Sequence, residues 1–339
     1  MKSFRIIAAA TAFALCAGAA SAQETYKLRI QTHYAPETPS GKLAAQFVDD
    51  VTTMANGQLE IEMFYASSVV KSVETFDAAV DGVLDCDMTG GAYQTGKDKA
   101  FQFVGDIMGG YDTPWQQYAW FYNGGQETAN QLYNDYDMQL IGWWLYGQES
   151  MSSSKPIRGP EDFKDWKFRS PPGLETQIFS NLGAKPIVMD FTEIFTALES
   201  GIIDGADASG LANNVGLGLY DLVEHATYPG FHSMPSDHLA CNKEVWDELP
   251  PHIQRIMEVA MQKLGFQTAL TFEVKNNEAA AMLREKGVNL YDWSAEDRET
   301  FRKAAQDAWD DFAADSEQAQ ALVKSHREFL TTLGLLGSE

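Results

Sequence analysis

Arg169 is the side chain whose type and position best suit the binding of an anion. It ends the strand-like run Trp166-Lys-Phe-Arg169, and Ser170-Pro171-Pro172-Gly173 follows it. A guanidinium can hold a carboxylate through two parallel hydrogen bonds. Residue type alone is equally compatible with a second interpretation, in which Arg169 is a surface arginine on an acidic protein.

Asp207 offers a second kind of chemistry. It follows a predicted strand and precedes Ser209-Gly210. With an amide such as Gln148 and a backbone carbonyl, it would supply the hard oxygen ligands that Na⁺ or Ca²⁺ prefers. A plain loop carboxylate is the alternative, and chemistry alone does not choose between the two.

The sequence contains none of the common catalytic motifs. There is no phosphate-cradling loop, no G-x-S-x-G elbow and no C-x-x-C pair. The six histidines are scattered, and none forms H-E-x-x-H. An exported hydrolase that uses Asp and Glu is a weak alternative because no carboxylate pair stands out, so we predict that the protein is not an enzyme.

Two copies of one pattern predict the elements that position these residues. Phe76–Asp85 and Phe195–Asp204 share Phe-x-Ala-apolar-x-x-Gly-apolar-apolar-Asp. Each copy is typical of a helix end, a Gly at the C′ position and a short buried strand. The repeat therefore predicts an α/β protein with two lobes of similar build, in which helices cover parallel strands.

A long helical pattern runs from His252 to about Glu285 with no Pro and one Gly. Such a helix would be about 50 Å long and would cross both lobes. Turn-rich segments and strand-like runs place the domain boundaries. We predict lobe I at 23–138 plus about 232–250, lobe II at 139–231 beginning with the strand Leu140–Leu145, and the lobe-spanning and C-terminal helices at 251–339.

Residues 1–22 are typical of a cleavable secretory signal. A basic start is followed by an apolar run from Ile6 to Leu15 and by the small residues Ala20-Ser21-Ala22. Two of the 25 Lys and Arg residues lie in this segment, so 23 remain against 48 Asp and Glu and the net charge changes from −23 to −25. Nucleic acid is therefore excluded as a partner, and an anionic ligand would need a local cation, a metal ion or backbone N–H groups.

Two cysteines, Cys86 and Cys241, remain after the predicted cleavage. An oxidising compartment would allow them to pair. Each also lies in an apolar, strand-like run, so two reduced and buried thiols are equally compatible with the sequence.

Four groups of motifs along this chain point to one family of proteins. They are Pro160-Glu-Asp-Phe163 with Lys167-Phe-Arg169, Gly183-Ala-x-Pro186, Glu193–Gly205, and Asn242-Lys-Glu-Val-Trp246 with Leu249-Pro250. Through them the chain resembles, over essentially its whole mature length, the solute-binding subunits of tripartite ATP-independent periplasmic (TRAP) transporters. The resemblance implies a periplasmic binding protein with a ligand cleft between its two lobes, which hands its ligand to integral-membrane permease subunits. It leaves open whether the C-terminal helices pair two copies as a homodimer.

Within that family the chain is most similar to binders of 2-oxo and 2-hydroxy monocarboxylates such as pyruvate and lactate, which hold the ligand with Na⁺ or Ca²⁺. The similarity implies that Arg169 binds the ligand carboxylate and that Gln148 and Asp207 bind the metal. It also implies that Tyr93 and Asn213 donate polar contacts and that Phe191, Trp143 or Trp144 forms an apolar wall. The marks of this branch are Tyr118-Ala-Trp120-x-Tyr122, Gly124-Gly125, Gly218-Leu-Tyr220 and Tyr228-Pro-Gly-x-His232.

Two departures from this branch affect the expected ligand. Ala208 stands where the branch usually has a Trp, so its carbonyl is kept for the metal while the ring is lost and the pocket is wider. The last metal-binding Glu has no clean counterpart, which leaves Asp237 or His238 as candidates. A dicarboxylate, a sugar acid or another organic acid held by Arg169 without metal remains the alternative.

Overall fold

The computed structural model describes residues 24–336, and the predicted signal segment lies outside them. Two β-sheets, each covered by helices, confirm the predicted α/β fold with two lobes. The first sheet has the order β2-β1-β3-β10-β4, and the second has the order β11-β9-β5-β8-β6-β7. The strands are β1 (Tyr26–Thr32), β2 (Leu59–Phe64), β3 (Cys86–Met88), β4 (Met138–Leu145), β5 (Ser150–Ser153), β6 (Lys167–Ser170), β7 (Lys185–Val188), β8 (Gly205–Ser209), β9 (His225–Thr227), β10 (Ser236–Asn242) and β11 (Asn289–Tyr291).

The placement of Leu140–Leu145 in lobe II is wrong. These residues belong to β4, which pairs antiparallel with β10 in the first sheet and places Trp144 opposite Asp237. The chain therefore crosses into the second lobe after Leu145, not at residue 139. All but one of the residues of β4 are buried, and a strand apolar on both faces carries no signal for the sheet that it joins.

The two glycines of the internal repeat have the conformation that the pattern predicts. Gly82 has φ of 74° and Gly201 has φ of 72°, a left-handed backbone that costs glycine little. Each follows a short helix, α2 (Thr75–Val80) or α7 (Ile194–Glu199). The glycines end these helices and turn the chain toward the next segment.

The longest helix, α10, runs from Pro251 to Lys286 and packs against β4 in the first lobe and against β11 in the second. Its 36 residues correspond to about 54 Å. Within residues 24–336 no helix is long and apolar enough to cross a membrane. The other helices are α1 (Pro39–Met54), α3 (Ala100–Gly105), α4 (Pro114–Trp120), α5 (Gln126–Asn134), α6 (Leu174–Asn181), α8 (Leu211–Gly216), α9 (Lys243–Glu248), α11 (Ala295–Ala313) and α12 (Glu317–Thr332).

Cys86 and Cys241 form a disulfide. They face each other across the antiparallel pair β3–β10, and both are buried. The paired alternative left open by the sequence is therefore the one that the structure shows.

Candidate functional site

The candidate site is a cavity of about 60 Å³ between the two lobes. It has room for a few water-sized groups. The first lobe contributes His33, Tyr93 and Asp237 to its lining, and the second lobe contributes Arg169, Asp207 and Ala208. Most of the second lobe's share lies at or just beyond the carboxyl ends of parallel strands, where ligands bind in open α/β sheets.

Arg169 lies in this cavity at 2 % exposure. Its Nη1 donates to the carbonyl of Asp207 at 2.8 Å, and its Nε donates to the carbonyl of Met189 at 3.3 Å. Its Nη2 is 3.5 Å from the Tyr93 hydroxyl. A guanidinium carries five N–H donors, so two remain for a ligand. The ring of Phe191 lies 5.8 Å from the guanidinium carbon.

Asp207 is the one strongly acidic carboxyl group of this cavity. Its Oδ1 is 2.9 Å from Nε2 of His232, and both side chains are buried. Burial alone would raise the pKa of Asp207, but His232 and Arg169 outweigh that effect and lower the pKa to about 2. Asp207 is therefore ionised at neutral pH.

Glu149 and Glu175 lie close to Asp207, and their pKa values are shifted in the opposite direction. Burial and the charge of Asp207 raise the pKa of both carboxyl groups well above the usual range. The Tyr146 hydroxyl donates to Glu149 at 2.7 Å, whereas Oε1 of Glu175 is buried without a partner. These two acids therefore hold protons at neutral pH unless a cation replaces the protons.

Two further acids complete the lining. Burial raises the pKa of Asp106 to about 6, although the Ser233 hydroxyl donates to it at 2.7 Å. Burial raises the pKa of Asp237 to about 8. Its Oδ2 has no hydrogen-bond partner and lies 3.9 Å from Nε2 of His33. Five carboxyl groups thus share the cavity with a single guanidinium.

The structure brings together only some of the residues expected from the sequence. Arg169, Tyr93, Asp207, Ala208 and Asp237 line the cavity, and Phe191 packs beside Arg169. The remaining expected residues, Asn213, Gln148, Trp143, Trp144 and His238, do not line it.

The polar atoms of Asn213 bond within the protein. Its Nδ2 donates to the hydroxyls of Ser40 and Ser209, and its Oδ1 accepts from the Ser40 amide. Gln148 donates to the carbonyl of Tyr111, and its Oε1 is buried without a partner beside a small neighbouring cavity. His238 lies in the core between Asp87 and Tyr133.

Glu149, Glu175 and His232 are site residues that the sequence did not single out. The sequence predicts Gln148 as the site residue, but the next residue, Glu149, is the one that lines the cavity. His232 belongs to the Tyr228-Pro-Gly-x-His232 motif, which contributes to the family resemblance but assigns this histidine no role in the site. Glu175 lies in α6 and carried no signal in the sequence.

The acids around Asp207 fit a hard cation. Among residues 24–336 the ligand atoms of Glu149, Asp207 and His232 lie within 4.8 Å of one another, and all three are buried. Glu149 and Asp207 supply the carboxylate oxygens that Na⁺ and Ca²⁺ prefer, whereas Nε2 of His232 contacts Asp207 and supplies no oxygen. Asp237 lines the same cavity but lies outside this group.

Residues 30–316 match the family of bacterial extracellular solute-binding proteins, family 7. The Monocarboxylate 2-oxoacid-binding periplasmic protein all3028 of Nostoc sp. is 28% identical over 291 residues, which cover 82% of this chain and 77% of that protein.

Solved structures agree with this match. A TRAP periplasmic solute-binding protein from Rhodobacter sphaeroides, in an open form without ligand, is 33% identical, covers 92% of this chain and 100% of its own, and has a TM-score of 0.72. One from Pseudoalteromonas atlantica, with bound sodium and pyruvate, is 24% identical, covers 92% and 96%, and has a TM-score of 0.81. The chain therefore belongs to family 7 of the bacterial extracellular solute-binding proteins, the binding subunits of TRAP transporters.

Proposed function

We propose that this protein binds a small 2-oxo or 2-hydroxy monocarboxylate, together with Na⁺ or Ca²⁺, and delivers it to a TRAP membrane permease. The observation that carries the proposal is Arg169, a buried guanidinium in the cleft with donors left over for a carboxylate. Proteins of this family bind solutes outside the cytoplasm and are not enzymes. The predicted signal segment 1–22 would export the chain to the periplasm.

The size of the site supports a small acid. The cavity between the lobes is about 60 Å³, so it accommodates only a ligand with few atoms. Ala208 leaves room beside Asp207, which favours an acid with a somewhat larger side chain than pyruvate. The Nostoc relative is named as a binder of monocarboxylate 2-oxoacids, and its likeness supports the same ligand class here.

The acids of the cavity support the cation. Asp207 and Glu149 would hold it. Ala208, whose carbonyl is a further oxygen donor, lines the same cavity, and the unpartnered Oε1 of Gln148 lies beside the neighbouring cavity. When bound, the cation supplies positive charge that offsets the repulsion between these acids and an anionic ligand. Asp237 stays a candidate metal ligand, although it lies outside the group formed by Glu149, Asp207 and His232.

Identification of the natural ligand tests the proposal most directly. The protein would be purified from a periplasmic extract, unfolded, and the released small molecules identified by mass spectrometry. Calorimetry would then measure pyruvate, lactate and succinate binding with Na⁺ present, with Ca²⁺ present, and after chelation with a bulky organic cation in place of Na⁺. Stoichiometric binding of pyruvate or lactate that weakens on cation removal supports the proposal. Tight binding of succinate alone, or binding that is indifferent to cations, contradicts it.

The same preparation would address the assembly. The C-terminal helices α11 and α12 are the surface through which two copies would pair. Sedimentation equilibrium of the purified protein, with and without ligand, would report whether two copies associate.

A further inference from the structure

A buried hydrogen-bond pair joins the two lobes across the cleft. Asp190 follows β7 in the second sheet, and Ser72 follows β2 in the first. Oδ2 of Asp190 accepts from the Ser72 amide at 2.8 Å, and Oδ1 is 3.3 Å from the Ser72 hydroxyl. Asp190 is 6 % exposed and Ser72 is fully buried, so the contact is largely shielded from water.

The residues on either side of Asp190 contact the ligand-binding arginine. The carbonyl of Met189 accepts from Nε of Arg169 at 3.3 Å. The ring of Phe191 lies beside the same guanidinium and packs edge-on against His33 of the first lobe, with ring centroids 4.8 Å apart. The segment 189–191 therefore connects the contact between the lobes to the position of Arg169.

The contact occurs in an arrangement in which the lobes cover the cavity, because Arg169 is 2 % exposed and Asp207 is 1 % exposed. The open Rhodobacter sphaeroides structure has the higher sequence identity, 33%, but a TM-score of 0.72, whereas the ligand-bound Pseudoalteromonas atlantica structure reaches 0.81 at 24%. This is the relation expected if the lobes are closed here. A ligand can enter only when the lobes separate, and separation pulls Ser72 away from Asp190 because the two residues follow strands of different sheets.

We propose that Asp190 is a latch that holds the lobes closed over the ligand and positions Arg169. The inference rests on the proposed function, since a latch matters only in a protein that closes on its ligand. In the closed state the carboxylate of Asp190 accepts a hydrogen bond from the Ser72 amide. Ser72 is the first residue of the 3₁₀ turn Ser72–Glu74, so its amide has no partner within that turn. In the open state this amide returns to water, so the bond favours closure and slows dissociation of the ligand.

A neighbouring ion pair is not the latch. Lys71 and Glu193 also join the lobes, with Nζ and Oε1 3.3 Å apart, but their side chains are 62% and 51% exposed. Exposed pairs of this kind contribute little. The buried pair beside them carries the larger part of the effect because it is shielded from solvent.

Asp190→Ala tests the latch. Stopped-flow measurement of pyruvate release, with NaCl and CaCl₂ present, should show a dissociation rate constant at least about ten-fold higher than in the wild type, from the loss of a charge-assisted bond. The association rate constant should change little. Ser72→Ala removes the hydroxyl contacts with Asp190 and Ser67 and keeps the amide bond to Asp190, so it should give a smaller increase.

Thr192→Ala is the matched control. The Thr192 hydroxyl donates to Asp190 at 2.7 Å within the second lobe, so this variant disturbs the local turn and leaves the Ser72 contact intact. It should change the dissociation rate constant by less than about two-fold, as expected for an interaction that is the same in both lobe arrangements. An equal increase in Thr192→Ala and Asp190→Ala would overturn the latch and assign Asp190 a local structural role.

A measurement without added ligand separates the latch from the ligand assignment. Spin labels at two exposed positions, Lys42 in the first lobe and Lys164 in the second, report the distance between the lobes. Asp190→Ala should shift this distance distribution toward the open form, both as purified and with pyruvate. If the wild type does not bind pyruvate, the ligand proposal fails while the distance measurement still decides on the latch. Identical distributions in variant and wild type refute the latch.

Discussion

Replacement of Arg169 by methionine would remove the guanidinium and keep a side chain of similar reach. The ligand carboxylate would lose the two N–H donors that the protein leaves free. Hydrogen bonds to charged groups contribute about 1.5–3 kcal/mol each. The loss is then about 3–6 kcal/mol, which corresponds to a Kd for the acid roughly 10² to 10⁴ times higher.

The same substitution would strand two backbone acceptors. The carbonyls of Met189 and Asp207 receive hydrogen bonds from Arg169, and a buried acceptor without a partner costs about 1–3 kcal/mol. The free energy of unfolding should therefore fall as well. Arg169→Lys separates the two effects, because it keeps the charge and loses the two-pronged geometry. We expect it to restore the affinity only in part.

Calorimetry with pyruvate, in buffer containing Na⁺ and Ca²⁺, would measure these affinities on variants whose circular dichroism confirms folding. Arg302→Met is a suitable control. Arg302 also donates to backbone carbonyls, those of Gly109 and Gly110, but it lies in α11, outside the cavity. A Kd for Arg169→Met within three-fold of the wild type, with Arg302→Met also unchanged, would remove Arg169 from the site.

Three further predictions concern the pocket, the disulfide and pH. Ala208→Trp should fill the space beside Asp207, so calorimetry should show weaker binding for 2-oxo acids with long side chains than for pyruvate. Cys86→Ala with Cys241→Ala should lower the free energy of unfolding in urea by roughly 3–5 kcal/mol, because the disulfide closes a loop of 155 residues. Asp237 has a pKa raised to about 8 in the folded state, so the folded state binds more protons than the unfolded state and stability falls as pH rises from about 4 to 8. Asp237→Asn should reduce this slope in denaturation curves recorded with chelator, and an unchanged slope would contradict the assignment.

The repeated pattern explains why much of the fold could be predicted. Helix ends at Gly82 and Gly201 depend on local backbone preference, and local preference is written in the sequence. The same holds for α10, which begins at Pro251 and continues without a further Pro to Lys286. The sheet that β4 joins depends instead on a partner strand almost a hundred residues later, β10, and no local feature of Leu140–Leu145 records that choice.

The site could be predicted only where single residues carry distinctive chemistry. Arg169 lies near the end of β6, and Asp207 lies within β8 rather than after a strand as the sequence predicts. Their side chains suit an anion and a cation, and both line the cavity. Glu149 and Glu175 are ordinary acids in an acidic chain. Their raised pKa values come from burial and from the charge of Asp207, which depend on the tertiary structure and leave no trace in residue spacing.

The order of strands in the first sheet constrains how this protein can assemble after export. If the predicted signal segment 1–22 exports this chain in an unfolded state, its N-terminal part emerges first. The strand β10 lies inside the first sheet, between β3 and β4, yet its residues 236–242 follow nearly the whole of the second sheet in the chain. The first sheet would therefore lack its β10 strand, between β3 and β4, until most of the second lobe has emerged. Translocation intermediates that end before residue 236 should consequently expose the facing edges of β3 and β4, and these edges are the places where a periplasmic chaperone would be needed.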